Sequence, residues 1–232
     1  MATREDQEVA ETYRSILEEI TVRIHSIDQA LRTNLAMRAL VLREFGFLQL
    51  RMCCELIALG CLICHGDIPA TKAKALQKAY DPKSILSGLE GLTPHFYPVP
   101  FKPEFLPGSP GELKMHDYDQ PYLTKSELIA LWAKCGNALH KGNIRNFLRY
   151  DDKTKLRSDD ILAHAQKVAN LIVNHRISRK DNTVHLICGV NRLDASVSGE
   201  ITYQINVATA EHQPPLSAPP SPADRRRPAK KR

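Results

Sequence analysis

Residues 35–65 read LAMRALVLREFGFLQLRMCCELIALGCLICH. Apolar side chains fall on nearly every side of the helix this stretch would form, the mark of a buried central helix rather than an amphipathic one. Gly66 and Pro69 follow in the order expected at a helix C-terminus. Five charges interrupt the run, and three of them cluster. At about 100° per residue, Glu44, Arg51 and Glu55 lie within about 40° of one another. Met37, Leu40, Val41, Leu48, Ala58, Leu59 and Leu62 surround them on the same side. Buried charges are costly unless paired. Two readings follow: a Glu44–Arg51–Glu55 network that fixes helix register, or the polar wall of a site with Arg51 aimed at an anion.

Upstream, Val9, Tyr13, Ile16, Ile20, Ile24, Ile27 and Leu31 recur at steps of three and four, which predicts a long amphipathic helix from Arg4 to about Thr33. Downstream, short helices are expected over 69–80 and 82–91, the second with Asp81 as N-cap and Pro82 at its first position. Seven of the fifteen prolines lie between Pro94 and Pro121. The segment 93–122 also carries Phe96, Tyr97, Phe101, Phe105, Tyr118 and Tyr122, so it is expected to be an ordered connection packed on the helices, not a linker. Thr124 and Glu127 have capping-box spacing before Leu128, Leu131, Trp132, Cys135 and Leu139. A last helix is expected from Ser158 to about Arg176, with His175 and Arg176 at its negative end. The period then changes to two, over Val184–Val190 and Ile201–Val207, around a Ser198-Gly199 turn. The expected fold is mainly α: an antiparallel helical bundle over 1–178, a small C-terminal β-hairpin over 183–208 packed on the bundle or on a dimer partner, and a disordered tail over 213–232.

Composition narrows the class. With 232 residues, 43% hydrophobic residues and 25% charged, the chain is neither disordered nor a disulfide scaffold. No run reads as a membrane span, and the opening MATREDQEVAETY lacks the apolar core of a secretory signal, so a cytoplasmic setting is expected. The net charge of +6 is uneven. Residues 213–232 hold Arg225, Arg226, Arg227, Lys230, Lys231 and Arg232 against Asp224, a net of +5, which leaves the body at +1.

Two further strings invite chemistry. Cys61-Leu-Ile-Cys64-His65 matches a c-type haem attachment string, but it ends the most apolar helix of the chain. Cys53, Cys54, Cys61, Cys64 and His65 share that helix, and no second pair returns at zinc-site spacing. Buried cysteines acting as small hydrophobes are the ordinary reading, and no haem, other cofactor or metal is expected. The segment Lys134–Asn143 places His140 at a helix end beside Lys141, Gly142 and Asn143, where it is either a general acid/base next to an anion-friendly turn or a partner of the helix C-terminus.

The strings FLQLRMCCELIALGCLICHGD (47–67), HFYPVP (95–100) and YLTKSELIALWAKCGNALHKGN (122–143) resemble a group of bacterial HEPN-like helical-bundle proteins that end in a small β-hairpin. The resemblance covers roughly residues 35–210 and implies a homodimer. Many proteins of that kind are metal-independent ribonucleases, in which an Arg is followed within two helical turns by a His. The His assists attack by a ribose 2′-hydroxyl and the Arg stabilises phosphate charge. His140 matches the His; the Arg position is Lys134, a point charge without the planar fork of a guanidinium. Arg51 on the neighbouring helix is the other candidate phosphate ligand. The departure at Lys134 favours a non-enzymatic protein acting through dimerisation and partner or nucleic-acid contact, with a ribonuclease using His140 as the alternative.

The charge partition yields a direct expectation. Deleting residues 213–232 should abolish any nucleic-acid retention owed to net charge and leave the circular dichroism spectrum of the body unchanged. Retention that survives truncation, read by filter binding at low salt, would move the contact to the body and first to the His140 turn.

Overall fold

The first helix begins with a reciprocal cap. The Asp6 amide donates to Thr3 Oγ1 and the Thr3 amide to the Asp6 carboxylate, at 3.2 and 3.0 Å. Helix α1 (Arg4–Arg32) then turns Ala10, Tyr13, Ile16, Leu17, Ile20, Ile27 and Ala30 inward. The structure, a computed structural model, describes residues 3–32, 38–72, 74–105, 113–140, 158–180, 182–191 and 202–209. Helix α2 (Ala39–Cys64) lies against α1 and buries Phe47, Leu50, Cys53, Cys54, Ile57, Ala58, Cys61 and Cys64. The two helices approach closely at Gly60, where a β-carbon would come within 2.8 Å of the Tyr13 ring. By length and composition α2 is apolar enough to cross a bilayer, contrary to the sequence reading; half of its most apolar window is buried against the rest of the fold.

A 3-10 turn (Pro69–Lys72) and the short α3 (Lys74–Gln77) lead to α4 (Pro82–Glu90), where the Ser84 amide donates to the Asp81 carboxylate at 2.8 Å. Helix α5 (Lys125–Leu139) carries the expected Thr124–Glu127 capping box, and α6 (Ser158–Ile172) follows.

The sheet overturns the expected architecture. Five strands, β1 (Val99–Phe105), β2 (Leu113–Asp117), β3 (Asn174–Arg179), β4 (Val184–Asn191) and β5 (Thr202–Thr209), form one antiparallel sheet in the order β2-β1-β3-β4-β5. The protein is therefore a mixed α/β fold, not a helical bundle with a small hairpin. The anticipated β4–β5 hairpin exists, and it packs within the chain, on α1 and beside β3. The proline-rich connection supplies β1 and β2. Prolines are tolerated in β1 because its pairing is split: residues 101–105 face β2, and only Val99 and Pro100 face β3. The last helix ends at Ile172, and what the sequence suggested as its basic end is β3. The Ser198-Gly199 turn and the tail 213–232 lie outside the described residues.

Strand β3 is unusual because its inward side chains, His175, Ile177 and Arg179, are mostly polar. Each polar one is answered from α1. Tyr13 Oη and His175 Nε2 are 2.9 Å apart, and His175 Nδ1 donates to the Ile172 carbonyl at 3.0 Å. Burial keeps the ring neutral, so with Nδ1 donating, Nε2 accepts and the Tyr13 hydroxyl is the donor. Burial pushes the His175 pKa down to about 4, partly opposed by the Ile172 carbonyl. Arg179 is 1% exposed and donates to Asp6, to Asp67 and to the Cys64 carbonyl, while Lys180 Nζ lies 2.9 Å from Asp6. Burial raises the Asp6 carboxyl, but hydrogen bonds from Lys180 and Thr3 and the Arg179 charge outweigh it and hold the group well below the usual carboxylate range.

Two outcomes follow. Asp6→Ala strands a fully buried guanidinium and should cost about 3–5 kcal/mol in urea unfolding; a loss under about 1 kcal/mol would mean the pair is not what holds α1 to β3. The second concerns pH. The unfolded imidazole titrates near about 6.5, so between there and about 4 the unfolded chain holds a proton that buried His175 does not. That contribution is complete above about pH 6.5 and declines by about 1.4 kcal/mol per pH unit as pH falls toward 4. Comparing urea midpoints at pH 7 and pH 5, His175→Gln should show a smaller drop than the parent; equal drops would contradict the neutral buried ring.

Candidate functional site

The residues expected to form a phosphate-cleaving site each engage a different neighbour among the described contacts. Arg51 sits between α2 and α5. Its Nε is 3.1 Å from Glu55 Oε1, its guanidinium lies over the Trp132 ring at 4.7 Å, and Trp132 Nε1 donates to the same Glu55 oxygen at 2.9 Å. Gly136 leaves room for it, since a β-carbon there would be 3.1 Å from Arg51 Nη1. Lys134 points elsewhere and meets His164 Nε2 of α6 at 3.2 Å. Burial, with the charges of Lys134 and Lys167, lowers the His164 pKa. His140 caps α5 through its backbone, its amide donating to the Gly136 carbonyl at 3.0 Å, and its side chain is exposed. Among the described contacts none joins His140 to Lys134 or to Arg51. Lys141, Gly142 and Asn143, and the tail residues Arg225, Arg226, Arg227, Lys230, Lys231 and Arg232, lie outside the described residues. Glu44 is half-buried, one face of α2 away from the core.

The cysteine string reads as core. All six cysteines are free and buried. Burial pushes the thiols up, Cys53 and Cys135 to about 12, and Cys54, Cys61, Cys64 and Cys188 also upward. Such thiols are poor nucleophiles and poor metal ligands at neutral pH. His65 commits Nδ1 and Nε2 to the Cys61 and Ser178 carbonyls, at 2.8 and 2.9 Å, so neither nitrogen is available to iron. Among the described residues no group of three or more His, Cys, Asp or Glu side chains is placed to hold a metal.

Two features emerge that the sequence reading passed over. The first is the outer face of α2. Val41, Phe45, Leu48, Met52, Leu56, Leu59 and Ile63 follow one another at steps of 4, 3, 4, 4, 3 and 4 and stay within one stripe. Val41, Leu48 and Leu59 are 45%, 44% and 41% exposed, and the other four are half-buried. No charged residue interrupts the stripe; Glu44, Arg51 and Glu55 run along one flank. The spacing was present in the sequence, but a helix apolar all round hides which side is free.

The second is a cleft of about 600 Å³ between the C-terminal half of α1 and α6, closed at one end by Val190 and Tyr203 of the sheet. Helix α1 lines it with Thr21, Ile24, His25, Asp28 and Arg32, which is one helical row. Helix α6 lines it with Leu162, Ala165, Gln166, Ala169 and Ile172. The row is visible in the sequence; the opposing wall depends on where the sheet sets α6, which the bundle reading missed.

Comparison of the chain with protein-family models, curated proteins and solved structures finds no match.

Proposed function

We propose that the protein works by association rather than by catalysis, and that its α2 face pairs with a second copy of itself. The observation that carries this reading is the stripe from Val41 to Ile63. Its steps read the same from either end, with Met52 at the centre. A two-fold contact must be self-complementary. Two antiparallel α2 helices crossing at Met52 would set Val41 against Ile63, Phe45 against Leu59 and Leu48 against Leu56, apolar against apolar throughout. A stripe on a 26-residue helix about 39 Å long and about 10 Å wide offers on the order of 400 Å², half of the roughly 800 Å² per partner in a standard interface. Flanking residues of α1 and α5 would supply the rest.

Against the ribonuclease alternative stand the separate engagements of Arg51 and Lys134. Each is occupied with a different neighbour, and no described contact joins either to His140. The HEPN-type mechanism needs a cation and a His at one phosphate. Nucleic-acid contact through the basic run 225–232 stays a separate, charge-based proposal.

Sedimentation of the full chain at micromolar concentration should give a dimer. Leu48→Glu, on an exposed position that leaves the core intact, should weaken it by more than about a hundredfold, because burying an unpaired carboxylate costs several kcal/mol. A monomeric parent protein overturns the reading. So does co-flotation with lipid vesicles that the same substitution abolishes, since the face would then be a membrane contact. RNA incubated with the protein in EDTA should remain intact; cleavage that disappears in His140→Ala would restore the enzyme.

A further inference from the structure

The cleft between α1 and α6 has an apolar interior and a polar mouth, and the two ends differ in how their polar groups are used. At the sheet end, the Thr21 hydroxyl donates to the Leu17 carbonyl at 2.9 Å, which leaves Tyr203 Oη to donate to Thr21 Oγ1 at 3.0 Å. Both hydroxyls are thereby answered, and that end asks nothing polar of a ligand. The walls are Ile24, Leu162, Ala169, Ile172, Val173 and Val190, with the small Ala165 and Ala169 making the space. At the mouth, Arg32 gives only its Nε to Asp28, and Gln166 is engaged with Asn170 at 2.8 Å. Among the described residues no group takes Arg32 Nη1 or Nη2, and none partners the His25 ring. Asp28 is already met by Arg32, so the donors left over at the mouth belong to a guanidinium and an imidazole.

We infer that this cleft is a binding site for an amphipathic monocarboxylate: an apolar body along Ile24, Ala169, Ile172 and Val190, and a carboxylate at the mouth on the outer edge of Arg32 and on His25. A guanidinium edge presents two parallel N–H groups to the two oxygens of a carboxylate, which an alcohol or amine head cannot use. From Thr21 to Arg32 the helix rises about 16 Å, room for a medium-length chain. The volume of about 600 Å³ falls within the range of sites that enclose most of a small ligand. The inference rests on the cleft alone and is independent of what covers α2.

Decanoate titrated calorimetrically into the full chain at pH 7 should bind saturably, with the negative heat-capacity change of apolar burial. Arg32→Gln, at an exposed position, should weaken decanoate at least tenfold. Ala169→Leu, which fills the middle of the cleft, should abolish binding, with thermal melts confirming that each variant is folded. Decylamine, of equal length and opposite charge, should bind the parent more weakly than decanoate, and Arg32→Gln should not weaken it. Absence of a saturable decanoate heat, undiminished binding to folded Ala169→Leu, or decylamine binding as tight as decanoate would each overturn the assignment. Should Ala169→Leu fail to fold, the Arg32→Gln and decylamine arms decide it.

Discussion

A guanidinium shut away from water holds the two halves of this molecule together. Arg179, at the end of β3, reaches Asp6 in the first turn of α1, Asp67 just beyond α2 and the carbonyl of Cys64 at the end of α2. Removing such a group from water is expensive, and the expense is offset only when its donors are met. Here they are met from α1 and from the end of α2, so the charge is satisfied only when α1, α2 and the sheet all stand in their native places. A greasy contact tolerates sliding; this one does not. The neutral Tyr13–His175 pair, four residues back along β3, acts in the same sense, with a donor and an acceptor that fit in a single register.

The same constraint explains which parts of the fold could be read from the sequence. Helices α1, α4 and α5 announce themselves through spacing and caps, because their signals are local: Thr124 and Glu127, Asp81 and Pro82, and the row from Val9 to Leu31. The β4–β5 hairpin is legible through period-two alternation. Strand β3 is not, because two of its three inward residues are His175 and Arg179, and a pattern search takes them for solvent-facing groups. Their burial makes sense only with Tyr13 and Asp6 opposite, more than 160 residues away. Strand β1 is hidden for another reason: Pro100 and Pro103 read as strand breakers, yet each faces a neighbour along only part of its length. With β1, its partner β2 and β3 all missing, a sheet of five looks like a lone hairpin, and the architecture shifts to a bundle.

The candidate sites divide in the same way. The residues that attract notice in the sequence, Arg51, Lys134, His140 and the Cys61–His65 string, are those with reactive side chains, and the structure engages most of them in ordinary packing, ion-pairing or capping. Trp132 completes the environment of Arg51 in a manner no spacing rule would foresee, since it comes from α5. Among the described residues, two surfaces open to a partner are made of residues without chemical reactivity: the Val41–Ile63 stripe and the wall of the α1–α6 cleft. Both are surfaces for recognition. The charged groups beside them, Glu55 with Arg51 and Asp28 with Arg32, are paired within their own helices and so add little repulsion to what approaches.

The long reach of the buried ties also bears on how the chain is made. Asp6 and Arg179 are 173 residues apart, Tyr13 and His175 are 162 apart, and Thr21 and Tyr203 are 182 apart. At a translation rate of roughly 5–20 residues per second, α1 leaves the ribosome on the order of ten to thirty seconds before its strand partners exist. Over that interval its row of isoleucines can find α2 but not the sheet, and the Asp6 end stays loose. Completion of the native state is thus tied to arrival of the last strand, and until then the face of α1 that meets β3 and β5 lacks its partners.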